Sequence, residues 1–116
     1  MTHRVELVYD RDCPHVDAAR AALRCAFAEI GVAPAWVEWD LKALDSPDYA
    51  HGYGSPTILV NGKDVAGAEP NAGADCCRLY TSDEGGLRGV PPVARIVAAI
   101  RKSDIEHCII QKEAKL

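Results

Sequence analysis

Residues 5–15 read VELVYDRDCPH, and residues 54–65 read GSPTILVNGKDV. The first segment opens with the apolar alternation of a buried strand and then passes through a polar break to Cys13 and Pro14. The second contains a strand pattern over 57–60, followed by Asn-Gly, the strongest short hairpin signal in a sequence. The two segments therefore predict one strand that ends at a cysteine and a later strand that a proline introduces and a hairpin follows.

A long amphipathic helix is predicted immediately after Cys13. Apolar residues recur at steps of three and four from Val16 to Ile30, which places them on one helical face. Gly31 suits the end of this helix. Pro14 is expected in the first helical turn, where its missing N–H is not needed. The unit therefore reads as strand, cysteine, helix.

The remaining patterns complete a single α/β domain over residues 1–116. They predict a second strand over 35–41, a short helix over 47–51, a returning strand over 63–66, a loop-rich stretch over 67–89 and a final helix from Pro91. A strand–helix–strand unit favours parallel pairing with a right-handed crossover. The Asn-Gly turn makes the last two strands antiparallel. The expected architecture is a central mixed four-stranded sheet flanked by helices.

Composition excludes several classes of function. The chain has 116 residues, of which 48% are hydrophobic, and its formal net charge is −4 without a basic cluster, so no nucleic-acid partner is expected. No apolar stretch is long enough to span a membrane. The N-terminal residues lead straight into the first strand rather than into a secretory signal, so we expect a cytoplasmic protein. Nothing in the sequence indicates the oligomeric state.

Five cysteines are present, an odd number. In a reducing compartment such a set indicates redox chemistry or soft-metal binding rather than a disulfide framework. Cys13 is the prime candidate, because the start of a helix stabilises a thiolate and raises its reactivity. His15 can assist when it is protonated. Cys25 is expected to be a packing residue, and Cys108 is expected either to pack within the tail or to be an incidental thiol.

The two opening segments, together with CRLY at residues 77–80, resemble the thioredoxin-like superfamily. More closely, the chain looks like a group of small bacterial thioredoxin-like proteins, some of which carry the label alkylmercury lyase. The resemblance covers residues 4–100 in element order. It places Cys13 in the active-site slot and Pro56 in the cis-proline slot, so the Ser55–Pro56 bond is expected to be cis. It implies a thioredoxin-like fold and a thiol-based activity, without specifying which one.

The sequence departs from that family at Val16, where thioredoxins have the second cysteine of Cys-x-x-Cys. Ordinary dithiol chemistry through that motif is therefore excluded. The first hypothesis is a thiol redox protein in which Cys13 attacks an oxidised sulfur and Cys77 resolves the mixed disulfide. Its substrate would be a protein or small-molecule thiol or disulfide. The residues expected to contact that substrate are Pro14, Ser55 and Pro56.

A soft-metal function is the alternative hypothesis. Cys13, Cys76 and Cys77 would together hold a thiophilic ion such as Hg(II) or Cu(I), or an organomercurial, since soft thiolates select these metals. The protein would then be an enzyme only if it also cleaved the carbon–metal bond, as an alkylmercury lyase does. A third hypothesis is a scaffold that only binds a partner. No zinc-finger spacing is present, so a structural zinc site is not expected.

Overall fold

The computed structural model describes residues 4–67, 80–81 and 87–102. The fold is α/β, with a mixed four-stranded sheet and two helices, and this part of the predicted fold class is confirmed. The elements are β1 (Val5–Tyr9), α1 (Val16–Ile30), β2 (Val37–Asp40), a 3-10 helix (Asp48–Gly52), β3 (Thr57–Val60), β4 (Lys63–Asp64), β5 (Tyr80–Thr81), β6 (Leu87–Arg88) and α2 (residues 93–102). Among the described helices, none combines the length and apolar character needed to cross a membrane.

The main sheet has the strand order β2-β1-β3-β4. β1 and β2 run parallel, with Tyr9 opposite Asp40, as expected for two strands joined by a helix. β3 is antiparallel to β1, with Val8 opposite Thr57, and β4 returns antiparallel beside β3. β1 and β2 therefore end at the edge of the sheet where β3 begins. We call this edge the Cys13 edge, because Cys13 follows β1 there.

The larger core lies between one face of the sheet and the two helices. Its fully buried members are Leu7, Ala19, Leu23, Ala26, Ile58, Ile96 and Ile100. The α1 members recur at helical spacing, and the strand members alternate, so each element contributes one apolar face. The other face of the sheet carries a smaller cluster that the 3-10 helix helps to cover. Its members are Val8, Ala50, Tyr53 and Leu59.

The start of α1 differs from the prediction. Pro14 lies before the helix, which begins at Val16, so its expected place in the first helical turn is wrong. The amide of Cys13 donates to the carbonyl of Asp10 at 2.9 Å, so the chain is still in a turn there. Helical bonding starts only at His15, whose carbonyl accepts an amide four residues on at 3.0 Å. The turn therefore holds Cys13 just outside the helix.

Other local predictions are confirmed. Gly31 ends α1 in the left-handed region, with φ of 84°. Asn61 and Gly62 both have positive φ, 51° and 84°, as a tight hairpin between β3 and β4 requires. Ile96 and Val97 are buried on α2. These positions share a strong local signal, either a turn residue or an apolar periodicity.

One small sheet is not predicted, and one expectation is wrong. The stretch 67–89 is predicted to be loop-rich, and β5 and β6 form a two-stranded antiparallel sheet within it. Strands of two residues are too short to show alternation, so the sequence carries no pattern for them. Cys25 was expected to pack inside, but it is exposed. The buried face of α1 includes Leu23, and two residues further along a helix the side chain lies about 200° around the axis.

Candidate functional site

Cys13 occupies the turn between β1 and α1. Its side chain belongs to the larger core cluster, and the residue is a free cysteine with 8% of its surface exposed. The residue lies three positions before Val16, the first residue of a 15-residue helix whose first amides have no partner within the helix. The location combines a nearly dry environment with the positive end of the helix dipole. Apolar burial makes a cysteine less reactive and a helix start makes it more reactive, so the two features of this position act in opposite directions.

The Ser55–Pro56 segment enters β3 at the same Cys13 edge, and its peptide bond is cis, as expected. Ser55 is buried, and its hydroxyl oxygen accepts the amide of Asp10 at 2.9 Å. The Thr57 hydroxyl donates to the carbonyl of Gly54 at 2.7 Å, which closes the turn around the proline. The two segments that sequence analysis singled out are thus joined directly, three residues before Cys13.

Asp10 fixes the turn that leads to Cys13. One carboxylate oxygen accepts the amide of Asp12 at 3.0 Å, and the other forms an ion pair with the Lys42 ammonium at 3.0 Å. Its backbone amide and carbonyl bond to Ser55 and Cys13. All the polar groups of Asp10 therefore hold one conformation of the turn.

Asp40 fixes the conformation of the loop after β2 in the same way. Its carboxylate accepts the Lys42 amide at 2.9 Å and the Arg11 guanidinium at 2.8 Å. Its carbonyl accepts the hydroxyl of Ser46 at 2.7 Å. The carboxylate is largely buried, while Arg11 is mostly exposed. Because Arg11 belongs to the turn before Cys13, Asp40 links the two loops at the Cys13 edge.

These contacts favour the ionised carboxylates. The Asp12 amide, and then the Lys42 ammonium, hold the pKa of Asp10 below its ordinary value. The Lys42 amide, and then the Arg11 guanidinium, lower the pKa of Asp40 against the opposing effect of burial. The charged network therefore stabilises the folded state as long as both carboxylates are ionised.

We expect the folded protein to lose stability in acid. A carboxylate with a lowered pKa in the folded state contributes stability above its unfolded pKa of about 4. That contribution disappears as the pH falls through the folded value. The contribution of these two carboxylates to the melting temperature should therefore be lost as the pH falls below about 4. Asp40→Asn should have a lower melting temperature than the wild type at pH 7, and its melting temperature should fall less on acidification.

Glu29→Gln provides the matched control, since Glu29 is exposed on α1. Its melting temperature should follow that of the wild type at every pH. An Asp40→Asn variant whose acid dependence equals that of the wild type would show that Asp40 does not contribute.

Four of the predicted site residues lie at one edge of the sheet. Cys13 is buried there and Pro14 is exposed next to it, while Ser55 and Pro56 are buried where β3 begins. Cys76, Cys77 and Cys108 lie outside the described residues. Within the described ranges, no group of three or more His, Cys, Asp or Glu side chains could hold a metal ion.

Sequence analysis missed three polar residues that shape the site. Asp10 and Asp40 each directly follow or end a strand, and aspartate at such a position commonly bonds an amide two residues on. That signal could have identified both. Tyr80 donates its hydroxyl to the carbonyl of Pro56, and the tyrosine is buried. A contact between residues 24 apart has no signal in the sequence alone.

No protein-family model, no curated protein and no solved structure matches the chain.

Proposed function

We propose that the protein is a thioredoxin-like thiol redox protein in which Cys13 is the nucleophile. The observation that carries the proposal is the position of Cys13, a free thiol before a long helix at the edge where Ser55–Pro56 enters β3. The sheet order supports the same proposal: a parallel pair bridged by a helix, followed by an antiparallel hairpin, is the arrangement that the resemblance implies.

The reaction is thiol–disulfide exchange. The Cys13 thiolate attacks one sulfur of a substrate disulfide, a bond forms between those two sulfurs, and the other substrate sulfur leaves as a thiolate that takes up a proton. A second thiol then attacks the Cys13 sulfur of the mixed disulfide and releases the reduced substrate. A dithiol reductant returns the oxidised protein to its thiol form. Two electrons pass from the reductant to the substrate in each cycle.

Cys77 is the proposed second thiol. Val16 is buried where a resolving cysteine would stand in thioredoxins. Cys25 lies nine residues beyond Val16 on an exposed position of α1, about 14 Å along the helix. Cys77 precedes Tyr80 by three residues in the sequence, and the Tyr80 side chain reaches the carbonyl of Pro56. The three residues from Cys77 to Tyr80 can span at most about 11 Å, which limits how far the second thiol can lie from Tyr80.

Of the three residues predicted to contact the substrate, Pro14 is proposed to touch it, and Ser55 and Pro56 are proposed to shape the segment beside it. Pro14 is exposed next to Cys13 and offers an apolar surface to a substrate. Ser55 and Pro56 set the backbone of the neighbouring segment rather than its exposed surface, because both are buried. A protein disulfide or a small-molecule disulfide would approach Cys13 across this edge.

The test is turnover with an electron donor. We expect the wild-type protein to accelerate the reduction of insulin or oxidised glutathione by dithiothreitol above the uncatalysed rate. Stoichiometric retention of Hg(II) without any turnover would support the soft-metal hypothesis instead. A protein that shows no turnover and retains no Hg(II) would support the scaffold hypothesis.

A further inference from the structure

β2 forms one edge of the main sheet, and among the described residues no strand lies beyond it. The amide of Leu41 donates to the carbonyl of Tyr9 at 2.8 Å, which fixes the residues of this segment that bond to β1. Residues 37, 39 and 41 therefore direct their backbone groups toward β1, and Glu38 directs its amide and carbonyl toward the open edge. An open strand edge is a template for pairing with a further strand.

An exposed apolar segment leads into this edge. Residues 32–37 read VAPAWV, and all of them are exposed except Trp36, which is half-buried. The two valines, Val32 and Val37, keep 47% and 45% of their surface in contact with solvent. A run of consecutive exposed apolar residues is unfavourable on a surface that stays in water. The segment and the outward backbone groups beside it therefore have the composition of an interface.

Both ends of the edge limit the length of strand that can pair there. The carbonyl of Asp40 already accepts the Ser46 hydroxyl at 2.7 Å and the Ala43 amide at 3.0 Å. Pro34, on the other side, has no amide hydrogen to donate. Within β2, Glu38 alone offers both an amide and a carbonyl to the open edge, so a pairing strand would be centred on it.

The side chains around this centre are self-complementary. On the α1 face, the Arg20 guanidinium binds both carboxylate oxygens of Glu38 at 2.9 Å, so a cation and an anion lie side by side. A two-fold axis beside Glu38 would set Arg20 of one copy against Glu38 of the other, which offsets the repulsion between the two glutamates. On the opposite face, the Trp39 indole bonds to Glu6, and the exposed Val37 lies on the same side as the indole.

We propose that the protein forms a symmetric dimer in which the β2 strands of two copies pair antiparallel, with Glu38 opposite Glu38 and Val37 opposite Trp39 of the second copy. A second copy is the occupant that the edge fits, because a two-fold axis brings opposite charges together and buries the exposed valine. The two four-stranded sheets then form one continuous sheet. The Cys13 edges lie at opposite ends of it, so both stay open. The dimer does not depend on the proposed function.

Sedimentation equilibrium of the full chain, run with reductant so that the exposed Cys25 cannot link two copies, tests the proposal. The wild type should have twice the mass of a single chain at about 100 μM, where a dimer of micromolar Kd predominates. Val37→Lys should raise the Kd at least about tenfold, because natural edge strands use lysine to prevent pairing. Val32→Lys is the matched control, since it alters an equally exposed valine outside the paired residues, and should keep the wild-type Kd.

Hydrogen exchange provides a second measurement that needs no substitution. The amide of Glu38, followed by NMR, should exchange more slowly as the protein concentration rises, because its bond forms only between two copies. A wild type that stays monomeric at about 100 μM would overturn the proposal. A dimer that both lysine variants weaken equally would also overturn it. A Glu38 amide protected at every concentration would show that another segment of the same chain covers the edge, and the proposal would again be wrong.

Discussion

Iodoacetamide should modify Cys13 about tenfold faster than Cys25 at pH 6. The accessibility of the two thiols favours the opposite order, since Cys13 is 8% exposed whereas Cys25 lies on the surface of α1. Access alone therefore predicts that Cys25 reacts first. Only the thiolate reacts, and thiols at helix starts are in general the more reactive ones, which is the reason for expecting Cys13 to react first. The order of the two rates decides which effect is larger.

The control is the same measurement after unfolding in urea. The helix is then absent, both thiols are equally accessible, and their rates should converge. A native protein in which Cys25 reacts faster across the whole pH range would contradict the activation of Cys13 by its position.

Replacing Glu6 by alanine should lower the free energy of unfolding by about 3 kcal/mol. Glu6 is a charged residue in β1 with 1% of its surface exposed. Its carboxylate accepts the indole N–H of Trp39 at 2.7 Å and the hydroxyl of Tyr49, and it faces the Arg4 guanidinium at 3.4 Å. The substitution removes the acceptor from two partly buried donors and leaves a void. Urea unfolding at neutral pH measures the loss.

Two variants bracket this effect. Glu6→Gln keeps an acceptor oxygen and most of the volume, so its cost should be smaller than that of alanine. Glu29→Ala changes an exposed glutamate on α1 and should alter stability by no more than about 0.5 kcal/mol. Equal costs for Glu6→Ala and Glu29→Ala would mean that the buried Glu6 side chain contributes no more to stability than an exposed one.

Strong local signals made most of the fold predictable. The periodicity from Val16 to Ile30, the alternation in β1 and the Asn61-Gly62 turn each specify an element with few neighbours involved. The mixed sheet follows from their order along the chain. The same signals place Cys13 at the end of a strand, which is why the candidate site could be proposed before its geometry was known.

The interactions that shape the site could not be predicted in this way. The ion pairs of Asp10 and Asp40 depend on the register of β1 beside β2, which brings Arg11 and Lys42 into reach. The packing of His15 on Gly89 depends on how the chain before α2 crosses α1, 74 positions later in the sequence. Such contacts arise from tertiary placement, and neither residue type nor spacing encodes them locally.

The most direct test of Cys13 as the nucleophile is the rate of insulin reduction by dithiothreitol in the presence of Cys13→Ser, measured beside wild type and Cys25→Ser. We predict that Cys13→Ser retains only the uncatalysed rate, because a serine hydroxyl cannot form the mixed disulfide, and that Cys25→Ser retains the wild-type rate. Incubated with the disulfide substrate in the absence of dithiothreitol, a Cys77→Ser variant should accumulate the mixed disulfide on Cys13, while Cys76→Ser should not. Catalysis by Cys13→Ser at the wild-type rate would contradict a nucleophilic role for Cys13.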